Sequence, residues 1–188
     1  MRIISGSFKG KKLLIPKDKL TRPLKDLTKE SIFNIIKHSK LINKKIENSI
    51  VLDLFSGIGS FGLECLSRGA ESVTFLENYK NVLPILKRNI DDLKQQNYSK
   101  VLQKDIFKEN TLQLLDNKFD IIFMDPPYKE KKISILLNKI IKFKLLKDGG
   151  IIIIHRHEKK EEYLPDRFNS IIEKSYGISK IVFGNILT

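Results

Sequence analysis

The sequence predicts an α/β fold: a doubly wound, mostly parallel Rossmann-like sheet with helices on both faces, preceded by a small β-hairpin and helix appendage. Three observations carry this. From residue 50 onward, short apolar runs rich in Ile, Val and Phe alternate with helix-length stretches, as in repeated strand–helix–strand units. The first run leads into Gly57-Ile58-Gly59-Ser60-Phe61-Gly62, a glycine loop spaced to open a helix. A later run ends in Asp125-Pro126-Pro127-Tyr128, where two prolines stop the strand.

Taken in order, Arg2–Ile4 and Lys12–Ile15 read as two short strands around Gly6 and Gly10. Leu20-Thr21-Arg22-Pro23 reads as a loop, because the residue before proline is pushed out of helix. Asp26 or Thr28 can cap a helix to about His38, with Ile32, Phe33, Ile35 and Ile36 on its apolar side. A polar stretch, 43–49, links this appendage (1–48) to the main domain (49–188). The main domain reads as strand 50–54, helix 60–67, strand 72–76, helix 80–95, a strand at 101–102 and a helix over 109–116. Strand 119–124, helix 131–144 and strand 151–154 follow, with further strands near 168–174 and 180–183. Right-handed crossovers join parallel strands, and ligands sit at the carboxyl edge where strand order reverses. If the order reverses after the first strand, strand 119–124 becomes its neighbour. The glycine loop and Asp125–Tyr128 then share one cleft.

Composition narrows the class. The chain has 188 residues, 41% of them apolar, and no apolar run long enough to span a membrane. Its start lacks the apolar core of a signal peptide, and Cys65 has no partner for an internal disulfide. A cytoplasmic protein, acting as a monomer, is the expectation. The net charge of +13 is uneven: residues 1–50 hold 13 Lys and Arg against 4 Asp and Glu, a net of +9. Compositional bias toward lysine would spread along the whole chain. A basic segment suits a polyanion, with nucleic acid the usual partner, and Arg2, Lys9, Lys11, Lys12 and Arg22 are its candidate contacts.

The Asp125–Tyr128 segment suits an amine. The Asp125 carboxylate and the Pro126 carbonyl are two rigid acceptors, and an NH2 group has two hydrogens to give. An amine that donates both frees its nitrogen lone pair to act as a nucleophile. Tyr128 offers a face for a base to stack on. The glycine loop formally fits a dinucleotide, with Glu77 placed to hold a ribose. Asp53, however, would oppose a pyrophosphate and favour a cation. S-adenosylmethionine, with a sulfonium and an ammonium, fits better. Asp105 could accept from the adenine amine. His155-Arg156-His157 has no evident third metal ligand and reads as a polar strand end, so no metal is expected.

Several segments together resemble the RsmD-like 16S rRNA (guanine-N2)-methyltransferases, within the class I S-adenosylmethionine-dependent methyltransferases with a DPPY motif. They are Met1–Gly6 with Lys9–Leu13, Thr21-Arg22-Pro23 with Asp26, Glu30, Phe33 and Asn34, then Val51–Ser60, Ser67–Ala70, Asp125–Tyr128 and Tyr176-Gly177. The resemblance implies methylation of one guanine amine of 16S rRNA in the small subunit or its assembly intermediate. It places Asp53, Phe55, Ser56, Gly57, Gly59, Glu77, Asn78, Asp105 and Ile106 at the methyl donor, and Asp125, Pro126, Pro127 and Tyr128 at the acceptor. The chain departs from the family at Leu24, Leu27 and Lys29, where more arginine is usual; lysine brings charge without the bidentate fork. A DNA adenine-N6 methyltransferase, a non-catalytic RNA-binding assembly factor and a dehydrogenase are the rival readings.

Overall fold

The computed structural model describes residues 1–17, 24–108, 110–160 and 163–187. Helix α1 (Asp26–His38) precedes β1 (Ile50–Leu54), α2 (Ser60–Ser67), β2 (Ser72–Glu77), α3 (Leu83–Asp92) and β3 (Ser99–Gln103). Then come β4 (Phe119–Met124), α4 (Ile133–Lys142), β5 (Leu146–His157), β6 (Phe168–Tyr176) and β7 (Ser179–Ile186). One seven-stranded sheet runs in the order β3-β2-β1-β4-β5-β7-β6. The strands from β3 to β5 are parallel, and β7 joins β5 antiparallel. The expected reversal after β1 is present, with Asp53 opposite Phe123. No helix among the described residues is long and apolar enough to cross a membrane.

Strand periodicity assigns the two faces. Val51, Ile121, Phe123, Ile151 and Ile153 point into one apolar cluster; Leu52, Leu54, Ile122, Met124, Ile152 and Ile154 point into the other. Both sides of the central strands are buried, as a parallel sheet requires. The first cluster also takes in Ile3, Leu13, Leu24, Ile32, Phe33 and Ile36, so the N-terminal segment packs on the same core as α2 and α3.

That packing explains several departures from expectation. Only one bridge, Arg2 with Lys12, forms where two short strands were expected. The amides of Ile4 and Ser5 instead donate to the Glu64 carboxylate at 2.7 and 2.9 Å, and that of Leu14 to Asn89 Oδ1 at 2.7 Å. Those donors are no longer free to extend a ladder. Lys29, read as a possible phosphate contact, points inward. Its Nζ lies 2.7 Å from the Arg2 carbonyl and 3.5 Å from Glu64 Oε2, with both side chains fully buried. Helix α1 starts at Asp26 but is preceded by Lys25, with no side-chain cap from Asp26 or Thr28.

Helix α3 is shorter than the expected 80–95. Pro84, which has no amide hydrogen, sits in its first turn, and Lys94, at φ +56°, lies just past its end. Residues 110–114 form turns where a helix was expected. The Thr111 hydroxyl donates to the Asp105 carbonyl at 2.7 Å, a local bond that competes with helix. Strand β5 exceeds the expected 151–154 at both ends.

Candidate active site

A cleft of about 410 Å³ opens at the carboxyl edge of the sheet, over the point where strand order reverses. Asp53, Phe55, Ser56 and Gly57 line it at the carboxyl end of β1, Glu77 and Asn78 at that of β2, and Asp125 to Tyr128 just past β4. Ten of the expected donor and acceptor residues therefore converge there. Gly59 lies behind the wall, while Asp105 and Ile106 fall outside the lining, Ile106 in the second apolar cluster. Arg2, Lys9, Lys11 and Lys12 are exposed and outside the cleft. Arg22 and the rest of Thr21-Arg22-Pro23 lie outside the described residues.

The glycine loop is built by close approach. Gly59 precedes α2 at φ +82°, a left-handed conformation that a side chain would strain. A Cβ on Gly62 would stand 2.4 Å from Phe75 Cε1, so only glycine lets α2 settle on β2. Phe55, not a glycine, also has positive φ (+58°), a strained conformation held in the wall of the cleft. Its ring lies against Phe107 at 5.9 Å. Glu77 binds this loop to the next: Oε2 accepts the Gly57 amide at 2.8 Å, and Oε1 those of Asn78 and Tyr79 at 2.9 and 2.8 Å. Oε2 keeps one acceptor position for a ligand.

Three carboxylates, Asp53, Glu77 and Asp125, face one cleft. Burial pushes the Asp53 carboxyl well above its ordinary range; the Gly62 amide opposes the shift, and Asp125 and Glu77 add to it. A cation placed here would be strongly welcomed, a pyrophosphate repelled. Ser56 has a buried hydroxyl with no hydrogen-bond partner among the described residues, an unmet demand that a polar ligand can satisfy.

The Asp125–Tyr128 side of the cleft is fastened by several contacts. Tyr128 stands edge-on to His157, ring centres 5.1 Å apart at 89°. The Pro127 carbonyl accepts the Glu130 amide at 2.8 Å and an Arg156 guanidinium nitrogen at 3.2 Å. A second Arg156 nitrogen reaches the Glu130 carbonyl at 2.6 Å. Phe61 and Phe123 stack in the cleft lining at 4.0 Å, and Phe33 of α1 stacks on Phe61 at 5.2 Å.

The family described as Conserved hypothetical protein 95 matches residues 1–185. The chain belongs to this family of RsmD-like methyltransferases. It is 32% identical over 183 residues to the Ribosomal RNA small subunit methyltransferase D of Haemophilus influenzae, covering 95% of this chain and 90% of the relative. It is 31% identical over 172 residues to the protein of that name from Escherichia coli, covering 88% and 78%. The solved structure of yhhF from Escherichia coli superimposes with a TM-score of 0.82 at 26% identity, over 99% of this chain and 97% of that one.

This RsmD-like site holds residues that the sequence reading passed over. Tyr79, His155 and Ser179 line the cleft, as do Leu24 and Lys25, which immediately precede α1. His155, expected as a polar strand end, is buried and bonded to Asp125. A signal for it was present: it follows four isoleucines at the carboxyl end of a parallel strand, on the same side of the sheet as Ile151 and Ile153. That is the edge and face where the Asp125 motif also emerges. Ser179 had no such signal, since it belongs to an antiparallel strand placed by the tail.

Proposed function

We propose that this RsmD-like methyltransferase moves a methyl group from S-adenosylmethionine to the exocyclic N2 amine of a guanine in 16S rRNA of the small subunit. One observation carries the reading: a three-carboxylate pocket suited to a cation and the rigid Asp125–Tyr128 segment line the same cleft. The relatives' names supply ribosomal RNA of the small subunit as the substrate class.

When bound, S-adenosylmethionine supplies an electrophilic methyl carried on a sulfonium. Asp53 and the loop through Gly57 would hold the cationic end; Glu77 would accept from a ribose hydroxyl; Ser56 would gain the partner it lacks among the described residues. Asp125 accepts an N–H of the guanine amine and offsets the positive charge that grows on nitrogen, while Tyr128 stacks on the base. Most of the acceleration comes from holding amine and methyl in line. The base must leave its helix to reach this depth.

The test is transfer of labelled methyl to small subunits that lack the modification, with nucleoside analysis of the product. N2-methylguanosine in 16S rRNA is expected, together with loss of turnover in Asp125→Ala at a donor affinity within a few-fold of the wild type. N6-methyladenine in DNA, or no transfer to subunits at any assembly stage, would overturn the reading.

A further inference from the structure

His155 is a buried group that the chemistry above leaves unused. Its Nδ1 lies 2.7 Å from Asp125 Oδ1, and its Nε2 lies 2.9 Å from Ser179 Oγ. Both ring nitrogens are therefore engaged, on opposite sides. An ionised carboxylate only accepts, so the Nδ1 facing Asp125 carries a hydrogen. In the neutral ring Nε2 then accepts, and the Ser179 hydroxyl donates. Ser179, His155 and Asp125 form a chain of hydrogen bonds pointing one way, toward the cleft.

The chain has a consequence at its end. A carboxylate rotates about its last side-chain bond in a broad, two-fold well and can present either oxygen. Here Oδ1 is committed to His155, while Oδ2 takes no hydrogen bond from the described residues. Asp125 retains 19% side-chain exposure, and His155 only 7%. The ring also meets Tyr128 at 6.3 Å and 69°, between the acid and the stacking face.

We propose that His155, oriented by Ser179, is a positioning residue that fixes the rotation of Asp125 and so holds Oδ2 open to the acceptor amine. The proposal rests on the methyl-transfer reading for its kinetics but not for its geometry. Its role runs through Asp125, to which its Nδ1 is bonded at 2.7 Å. Locking the acid in advance removes a rotation that would otherwise have to be frozen at each turnover.

Two measurements on the full chain test it. The first is the 15N spectrum of the imidazole in the free protein. A protonated Nδ1 and a bare Nε2 are expected at His155, with the pattern lost in Asp125→Ala. The second is turnover on unmodified small subunits. His155→Ala should lower kcat by about 10²-fold, the scale of a misplaced catalytic group, with acceptor KM and donor affinity unchanged. His155→Asn, which keeps an N–H near the Nδ1 position, should recover most of that loss. Ser179→Ala should show a smaller loss in the same direction.

A hydrogen on Nε2, wild-type kcat in His155→Ala, or an Asn variant no better than Ala would overturn the proposal. Should His155→Ala fail to fold, the imidazole spectrum and Ser179→Ala decide. Failure of the wild type to methylate subunits would sink the functional reading, and the spectrum would still judge the Asp125–His155–Ser179 chain.

Discussion

The Gly62 amide donates to Asp53 Oδ2 at 3.0 Å, and this is the one hydrogen bond that the described residues give a carboxylate only 1% exposed. The folded pKa of Asp53 is therefore raised, first by burial. A carboxyl with a raised folded pKa binds its proton more tightly in the native state. Stability then falls as pH rises from the unfolded value, about 3.9, toward the folded one. Asp53→Asn keeps an oxygen for Gly62 and removes the buried charge. Its ligand-free Tm at neutral pH should match or exceed that of the wild type. Its affinity for S-adenosylmethionine should fall by at least about tenfold, or about 1.4 kcal/mol. Thermal shift with and without donor checks both halves; a lower Tm with unchanged affinity would refute the assignment.

The same pKa argument predicts a proton signal. Below its raised folded pKa Asp53 holds a proton in the free protein; a cation bound beside it favours the charged form, so donor binding at such a pH should release protons. Calorimetry in buffers of different ionisation enthalpy should give different apparent binding enthalpies, and the difference should vanish in Asp53→Asn.

Glu64 is the knot between the N-terminal segment and the sheet. Its two oxygens take the Ile4 and Ser5 amides, Lys29 and Arg68, the last at 2.8 Å. Burial pulls the Lys29 ammonium below its ordinary pKa, while Glu64 holds it up. Glu64→Ala leaves Lys29 without its partner inside the protein. The expected cost is about 3–5 kcal/mol, the scale for breaking one side of a buried pair. Denaturant unfolding should register it, with earlier proteolysis in residues 1–15 than in the wild type.

Much of the fold was readable because its signals are local. Four isoleucines in 151–154 announce a buried strand wherever it packs, and a glycine loop after a strand announces a helix start. The reversal of strand order after β1 matches the expected one, whereas the insertion of β7 between β5 and β6 had no local signal. What escaped was polar and distant. Lys29 meets Glu64 across 35 positions, and Asn89 binds Leu14 across 75. A lysine on an amphipathic helix looks solvated until its neighbours in space are known. The Asp125 motif was legible as chemistry, but its bond to His155, 30 positions away, depends on the pairing of β4 with β5. The turns at 110–114 escaped because one threonine hydroxyl outweighed a weak helical pattern.

The exposed lysines of the N-terminal segment carry the last prediction. Lys9, Lys11 and Lys12 are exposed at the turn between the two arms that Arg2 and Lys12 bridge. Lys29 is not available to RNA, because its ammonium is held inside the protein. If the three exposed lysines meet phosphates, each such pairing releases counterions. Changing all three to Gln should weaken binding to small subunits. It should also flatten the logarithmic salt dependence by roughly 0.7–0.9 for each phosphate that a lysine no longer neutralises. Donor affinity should not change, because none of the three lines the cleft. Stability should hold as well, since the segment is fastened by Glu64, Ser67 and Asn89 rather than by these side chains. Lysines that are no more than compositional bias would give an unaltered slope. Binding measured at several salt concentrations separates the two, and an unchanged slope would leave the segment a packing element only.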